Sequence, residues 1–387
     1  MISRIKSIDV FRGYVIIYMI LLHTWMWGVP GGAITLSNDM FFRIISLIIR
    51  FISPEAEGFI FISGISFSIS YYRKTESHNK IRRDNFKENY SQIRLKYLFQ
   101  ILFLFLLGFF YYNFRAYLSR GYLGNIWSWN IFQTLACSIG LSLMLINYNK
   151  ALKIIIALSV LSIYGILYMF IPNNILTYPG DQIIIKGPLD LFYYIFFNGF
   201  FFTPILGFFP FFLIGSVVGE VMYEKLFIID TKFEDNRFSK LSLVSLFIIC
   251  MVLIITSGFI SLADQFSRNS ISWLIYSLGT NLLFFFILLT IEQGNYFHPK
   301  GNYKFFFYFS YYSLTIFIVH EILFPLLFQK FTISLGFFVS LLIIFLFFVG
   351  LRIIYNKFGP YFSLKVQISR LSSFLANRMI KKKELNH

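Results

Sequence analysis

The sequence predicts an all-α, polytopic helical membrane protein with about ten transmembrane helices and both termini in the cytosol. Three observations lead there. Of the 387 residues, 57% are hydrophobic and only 13% are charged, too few to clothe a soluble domain. Mean hydropathy is +0.69, and apolar runs of spanning length recur from end to end. Lysine and arginine also alternate between loops: 27 of the 34 fall on the side assigned to the cytosol, as the positive-inside rule requires. That asymmetry accounts for the net charge of +16 without a nucleic-acid partner.

In chain order, the spans are expected near residues 8–28, 55–72, 95–113, 130–147, 152–171, 204–223, 241–262, 271–291, 305–328 and 332–352. Arg4, Lys6 and the stretch from Arg73 to Lys96 hold the cytosolic side, followed by Lys150, Lys153, residues 224–240, Lys300, Lys304 and the tail. Residues 40–53 carry Arg43 and Arg50 seven apart on one helical face and read as an interfacial helix. Residues 188–203 are apolar but short, which suits a re-entrant or interfacial segment. Residues 1–360 form the membrane domain. Residues 361–387 form a basic amphipathic tail, drawn to anionic lipid by Lys381, Lys382 and Lys383. Trp25, Trp27, Trp127 and Trp129 sit near outer span ends and suit an interfacial belt. Gly215 and Gly219 make a small-xxx-small pair for helix packing.

Ionisable residues inside spans are costly and mark sites. In SIDVFRGYVIIYMILLH, Arg12 and His23 are eleven residues apart. That is just over three helical turns, so they share one face about 16 Å apart, half the hydrocarbon thickness. A neutral imidazole can take a proton from a hydroxyl or amine and return it, which makes His23 a candidate general base. Glu57, entering from the outer side in PEAEGFIFISGISFSIS, lies at a similar depth. So do His320 and Glu321 in YYSLTIFIVHEIL. Two histidines and up to two carboxylates at one level describe a shared polar cavity. Arg12 belongs to an inner vestibule, where Arg73 and Lys74 would help attract an anionic ligand. Each residue also has a structural reading: helix packing for the histidines, a water-facing carboxylate for Glu57, pairing with Asp9 or lipid phosphate for Arg12, and topology for Arg73 and Lys74. No P-loop, dinucleotide fingerprint, Gly-x-Ser-x-Gly elbow or zinc-ligand spacing occurs, so no metal ligand set is expected.

SIDVFRGYVIIYMILLH, FIFISGISFSIS, FFPFFLIGSVVGE and YYSLTIFIVHEIL resemble, in that order, landmark segments of the prokaryotic relatives of heparan-α-glucosaminide N-acetyltransferase. The Arg12–His23 spacing also resembles that of the membrane O-acyltransferases that modify bacterial surface polysaccharides. The resemblance implies acetyl-CoA or another acyl-CoA as donor, bound from the cytosol, and a carbohydrate or glycolipid acceptor on the opposite face. It sets Arg12 near the donor and His23 at the acceptor. The chain departs from the animal glucosaminide enzymes in carrying histidine within the first helix rather than in the loop after it, which leaves oxygen or nitrogen open as acceptor. The expected function is therefore a multi-pass acyltransferase of the cell membrane, in contact with lipid, its oligomeric state undefined. The alternative is a transporter or flippase with a buried proton relay.

Overall fold

A computed structural model describes residues 5–30, 56–81, 86–121, 129–170, 203–225, 240–262, 270–294 and 303–385, with isolated positions at 40, 44–45, 48, 192 and 195–197. The expected interfacial segments 40–53 and 188–203 lie mostly outside these residues.

Among the described residues every regular element is helical. The helices are α1 (Lys6–Gly28), α2 (Ala56–Ile81), α3 (Phe86–Arg120), α4 (Ile131–Leu145), α5 (Lys150–Phe170), α6 (Ile205–Tyr223) and α7 (Lys240–Ile260). They continue with α8 (Ile271–Gln293), α9 (Tyr303–Tyr311), α10 (Ser313–Val319), α11 (Leu323–Leu327), α12 (Ile333–Phe358) and α13 (Leu364–Leu385). Helices α1, α3, α5, α6, α7, α8 and α12 are long and apolar enough to cross a membrane, and α9 to α11 form an eighth if a 69° bend is allowed. The chain is a multi-pass helical membrane protein. The two remaining expected spans are helices too, but α2 is diluted by Glu57 and serines 63, 66, 68 and 70. Helix α4 has only 15 residues, about 22 Å against a hydrocarbon core of about 30 Å.

The chain divides into two compact units. The first comprises residues 1–59, 113–124 and 280–368 and is organised around α1, which packs most extensively on α9 and then on α12. Gly13 allows the close approach to α9: a β-carbon there would overlap the Phe306 carbonyl. Phe11 is fully buried against Phe284, with ring centroids 5.5 Å apart.

Both ends of α1 are satisfied by other parts of this unit. Its N-terminus has no side-chain cap of its own. Instead the Lys6 and Ser7 amides donate to the two Glu292 carboxylate oxygens at 2.7 and 2.8 Å. Those amides have no intrahelical partner, and a carboxylate there also meets the positive end of the helix dipole. At the other end the amides of Gln329 and Phe331 donate to the carbonyls of Trp27 and Gly28, each at 2.8 Å. The turn that reaches them puts Gln329 at φ 52°, the left-handed region. Trp25 is buried rather than lipid-facing, and its indole N–H donates to the Ile333 carbonyl at 3.0 Å.

The bend between α9 and α10 falls at Tyr312, where φ is −99° and ψ 17°. The turn after α12 braces it: the Ser363 hydroxyl donates to the Tyr311 carbonyl at 3.0 Å, and the Tyr312 hydroxyl donates to the Gly359 carbonyl at 2.6 Å. A second irregularity follows. Residues His320–Ile322 form a 3₁₀ turn, closed by the Leu323 amide on the His320 carbonyl. Pro325 explains it, since proline has no N–H to offer the Glu321 carbonyl four residues back and its ring crowds that oxygen.

The second unit comprises residues 60–112, 125–279 and 369–387. Here α6 packs on α5 and α4 around Trp129, Ala157, Ile205, Phe209 and Leu213. Gly64, Gly215 and Gly219 bring α2 and α6 into backbone contact: β-carbons at 64 and 215 would overlap the carbonyls of Phe212 and Phe61. Lys153, 2% exposed, donates to Glu220 at 2.8 Å and to the Ile146 carbonyl at 3.0 Å. A capping box opens α4, with Asn130 accepting from the Phe132 amide and Gln133 accepting from the Asn130 amide.

Candidate active site

His23 projects from the last turns of α1, and the 3₁₀ turn delivers His320 and Glu321 to it within the first unit. Nδ1 of His23 lies 2.9 Å from Nε2 of His320. The rings stack with centroids 5.2 Å apart. His320 and Glu321 are wholly buried, whereas His23 is half-buried.

The hydrogen bonds define where the protons sit. Nδ1 of His320 is 3.2 Å from the Ile316 carbonyl. A carbonyl only accepts, so that nitrogen carries the hydrogen and Nε2 of neutral His320 is left as an acceptor. His23 must then donate from Nδ1, which leaves the lone pair of its imidazole on Nε2. Donation thus runs inward, from His23 to His320 and from His320 to the Ile316 carbonyl.

Glu321 supplies the countercharge for an imidazolium. One of its oxygens lies 3.9 Å from His320 Nε2 and the other 3.6 Å from Arg115 Nε. Arg115, on the last part of α3, therefore steadies the carboxylate and offsets its charge. Trp27, one turn after His23, packs its indole on both imidazoles, 5.1 Å from His23 and 5.5 Å from His320. Phe324 meets the same indole edge-on at 5.4 Å. These rings keep water from one side of the pair and hold both imidazoles in place.

Of the residues expected from sequence, His23 and His320 are brought into direct contact, with Glu321 beside them. Glu57 is fully buried on the first turn of α2, in the same unit. It is not among the described donors that gather within 4.8 Å of one another, which are His23, His320 and Glu321. Arg12 is buried lower on α1. Its neighbour Asp9 accepts from the hydroxyls of Ser310, at 2.8 Å, and Tyr303. Arg73 and Lys74 belong to the second unit. Arg73 is exposed. Lys74 donates to the Tyr97 hydroxyl at 3.2 Å, and burial, with Lys96 nearby, pushes its ammonium down to about 8. Sequence reasoning set Trp27 in the interfacial belt and did not single out either Trp27 or Arg115 as a site residue. The available signals were the i, i+4 spacing of His23 and Trp27, and the arginine left on the outer side of a span.

Residues 4–248, more than half of the chain, match the profile of the family described as heparan-alpha-glucosaminide N-acetyltransferase, catalytic. The chain belongs to this family. Its match includes Arg12, His23, Glu57, Arg73, Lys74 and Arg115 and ends before His320 and Glu321. No individual curated protein matches the chain. Membership makes it a multi-pass member of an acyltransferase family.

Proposed function

We propose that this protein transfers an acyl group, acetyl in the first instance, from cytosolic acyl-CoA to a hydroxyl or amine of a sugar or glycolipid on the non-cytosolic face of the cell membrane. The observation that carries the reading is the 2.9 Å bond between His23 and His320, because it puts the lone pair of the half-buried His23 ring on Nε2. That nitrogen takes the acceptor's proton as its oxygen or nitrogen attacks the thioester carbonyl. The carbon–sulfur bond then breaks, the coenzyme leaves as thiolate, and His23 returns the proton to sulfur. While His23 is protonated, His320 accepts its Nδ1–H and Glu321 balances the charge. The thioester arrives activated, so the protein needs to supply only orientation, a base and exclusion of water.

The family supports acyl transfer and an acetyl donor, and the charge asymmetry of the loops supports the sidedness. Arg12 is the residue we assign to the anionic donor, Arg73 and Lys74 contribute to its long-range attraction through their charge, and Glu57 is a further carboxylate near the outer side. The test supplies purified protein with labelled acetyl-CoA and looks for label in glycan and lipid extracts. Loss of transfer in a folded His23→Ala variant is the expected result. Unchanged transfer in that variant would remove His23 from the mechanism, and solute flux independent of acetyl-CoA would replace the transferase by a transporter.

A further inference from the structure

We propose that His23, His320 and Glu321 form an inhibitory binding site for a borderline-soft divalent cation of the Zn²⁺ class. One ligand atom from each of His23, His320 and Glu321 lies within 4.8 Å of the other two. The separations are 2.9 Å between the two nitrogens and 3.9 Å from His320 Nε2 to the carboxylate. Two ligand atoms about 2 Å from a tetrahedral zinc ion stand about 3.3 Å apart, so these two separations lie within about 0.6 Å of what the ion requires, and the third, between His23 and Glu321, is at most 4.8 Å. Two imidazoles and one carboxylate are a common zinc ligand set with a fourth position left open.

The surroundings of the three donors match those of metal ligands. A ligating histidine usually donates its other ring N–H to a backbone carbonyl, and His320 Nδ1 does so to Ile316. Arg115 holds the far oxygen of Glu321 at 3.6 Å, which turns the near oxygen toward His320. Only His23 is half-buried, so a cation enters from its side.

In this arrangement the ion takes the place of the proton shared by the two imidazoles. His320 is already deprotonated at Nε2 and changes nothing. His23 must vacate Nδ1, and its one proton moves to Nε2. The neutral ring stays neutral and no net proton is released, but the lone pair that serves as base is gone. Inhibition therefore rests on the acyl-transfer reading, whereas binding does not.

The experiment uses the full, tag-free chain in detergent, titrated with Co²⁺ as a spectroscopic probe and then with Zn²⁺ in competition. We expect one ion per chain, the visible ligand-field absorption of a four-coordinate cobalt site, and at least about tenfold weaker binding in Glu321→Gln and His320→Gln. Glu321→Gln is isosteric and keeps the reading testable if the histidine variant does not fold. Absence of saturable binding, or equal affinity in Glu321→Gln, would overturn the proposal. Zn²⁺ should also slow acetyl transfer in parallel with its occupancy. A protein that binds cobalt normally but transfers no acetyl group would sink the transferase reading and leave the cation site standing. Acetyl transfer unaffected at full zinc occupancy would sink the inhibitory role.

Discussion

Replacing His320 by alanine removes the acceptor that keeps the His23 proton on Nδ1. That bond is 2.9 Å long, and its acceptor ring is wholly buried. Leaving this part-buried donor unmet costs at most about 1–3 kcal/mol, and each 1.4 kcal/mol is about a factor of ten. The tautomer with its lone pair on Nε2 should therefore lose roughly 5- to 150-fold in population. Because the acyl donor does not depend on that tautomer, kcat should fall by this factor while KM for acetyl-CoA stays within about twofold. A glutamine at 320 offers an amide oxygen to the same proton and should recover most of the loss. Single-turnover transfer of labelled acetyl, with KM measured in parallel, reads both quantities. Full kcat in His320→Ala would refute the tautomer argument. So would a glutamine variant no faster than alanine at equal thermal stability.

Three further outcomes follow from the packing and charges. Glu292→Ala should lower stability by about 3 kcal/mol, since it removes two charge-assisted bonds at the N-terminus of α1. Thermal unfolding checks this, and an unchanged midpoint would show that the α1 terminus finds other partners. Gly13→Val should cost about 3 kcal/mol or more by forcing α1 away from Phe306, whereas Gly350→Ala, with nothing within 4 Å of its new methyl, should be neutral or slightly stabilising. Equal midpoints for the two would deny the close contact. Lys74→Met should raise stability at pH 7, because the folded ammonium is held down to about 8 and bears its full cost below that value. As pH rises from about 8 toward the ordinary lysine value of about 10.4, the folded chain releases the proton first and the gain, about 2–3 kcal/mol at pH 7, should fade. Unfolding midpoints at pH 7 and pH 9.5 give the comparison, and a gain of equal size at both would exclude ionisation as its cause.

Ring donors on the site reach one another only through packing, and this limits what can be read from linear spacing. Arg12 and His23 share a helix, so their common face follows from 3.6-residue periodicity alone. His23 and His320 are separated by 297 positions. A common depth could be inferred from span order, but not a hydrogen bond, which needs a lateral approach of α1 to the α10–α11 region. The same holds for Arg115 and Glu321, and for Glu292 at the start of α1. Zinc-ligand spacing is absent along the chain, yet three suitable donors meet in space. Trp25 and Trp129 read as belt residues because a tryptophan near a span end has that prior. In the fold their indoles find the Ile333 carbonyl and the Thr134 hydroxyl instead.

By itself the sequence determined the fold class, the helical membrane architecture and the candidacy of His23, Glu57 and His320, because hydropathy, periodicity and buried charge are properties of short segments. Tertiary structure alone decided which of those candidates touch. Pro325 turns the chain at His320, Glu292 and the 329–331 turn hold α1 at its two ends, and Gly13 lets it close on α9. Contacts between distant segments depend on such local irregularities acting together, and a few ångströms of helix displacement would separate the two imidazoles without altering a single hydropathy window.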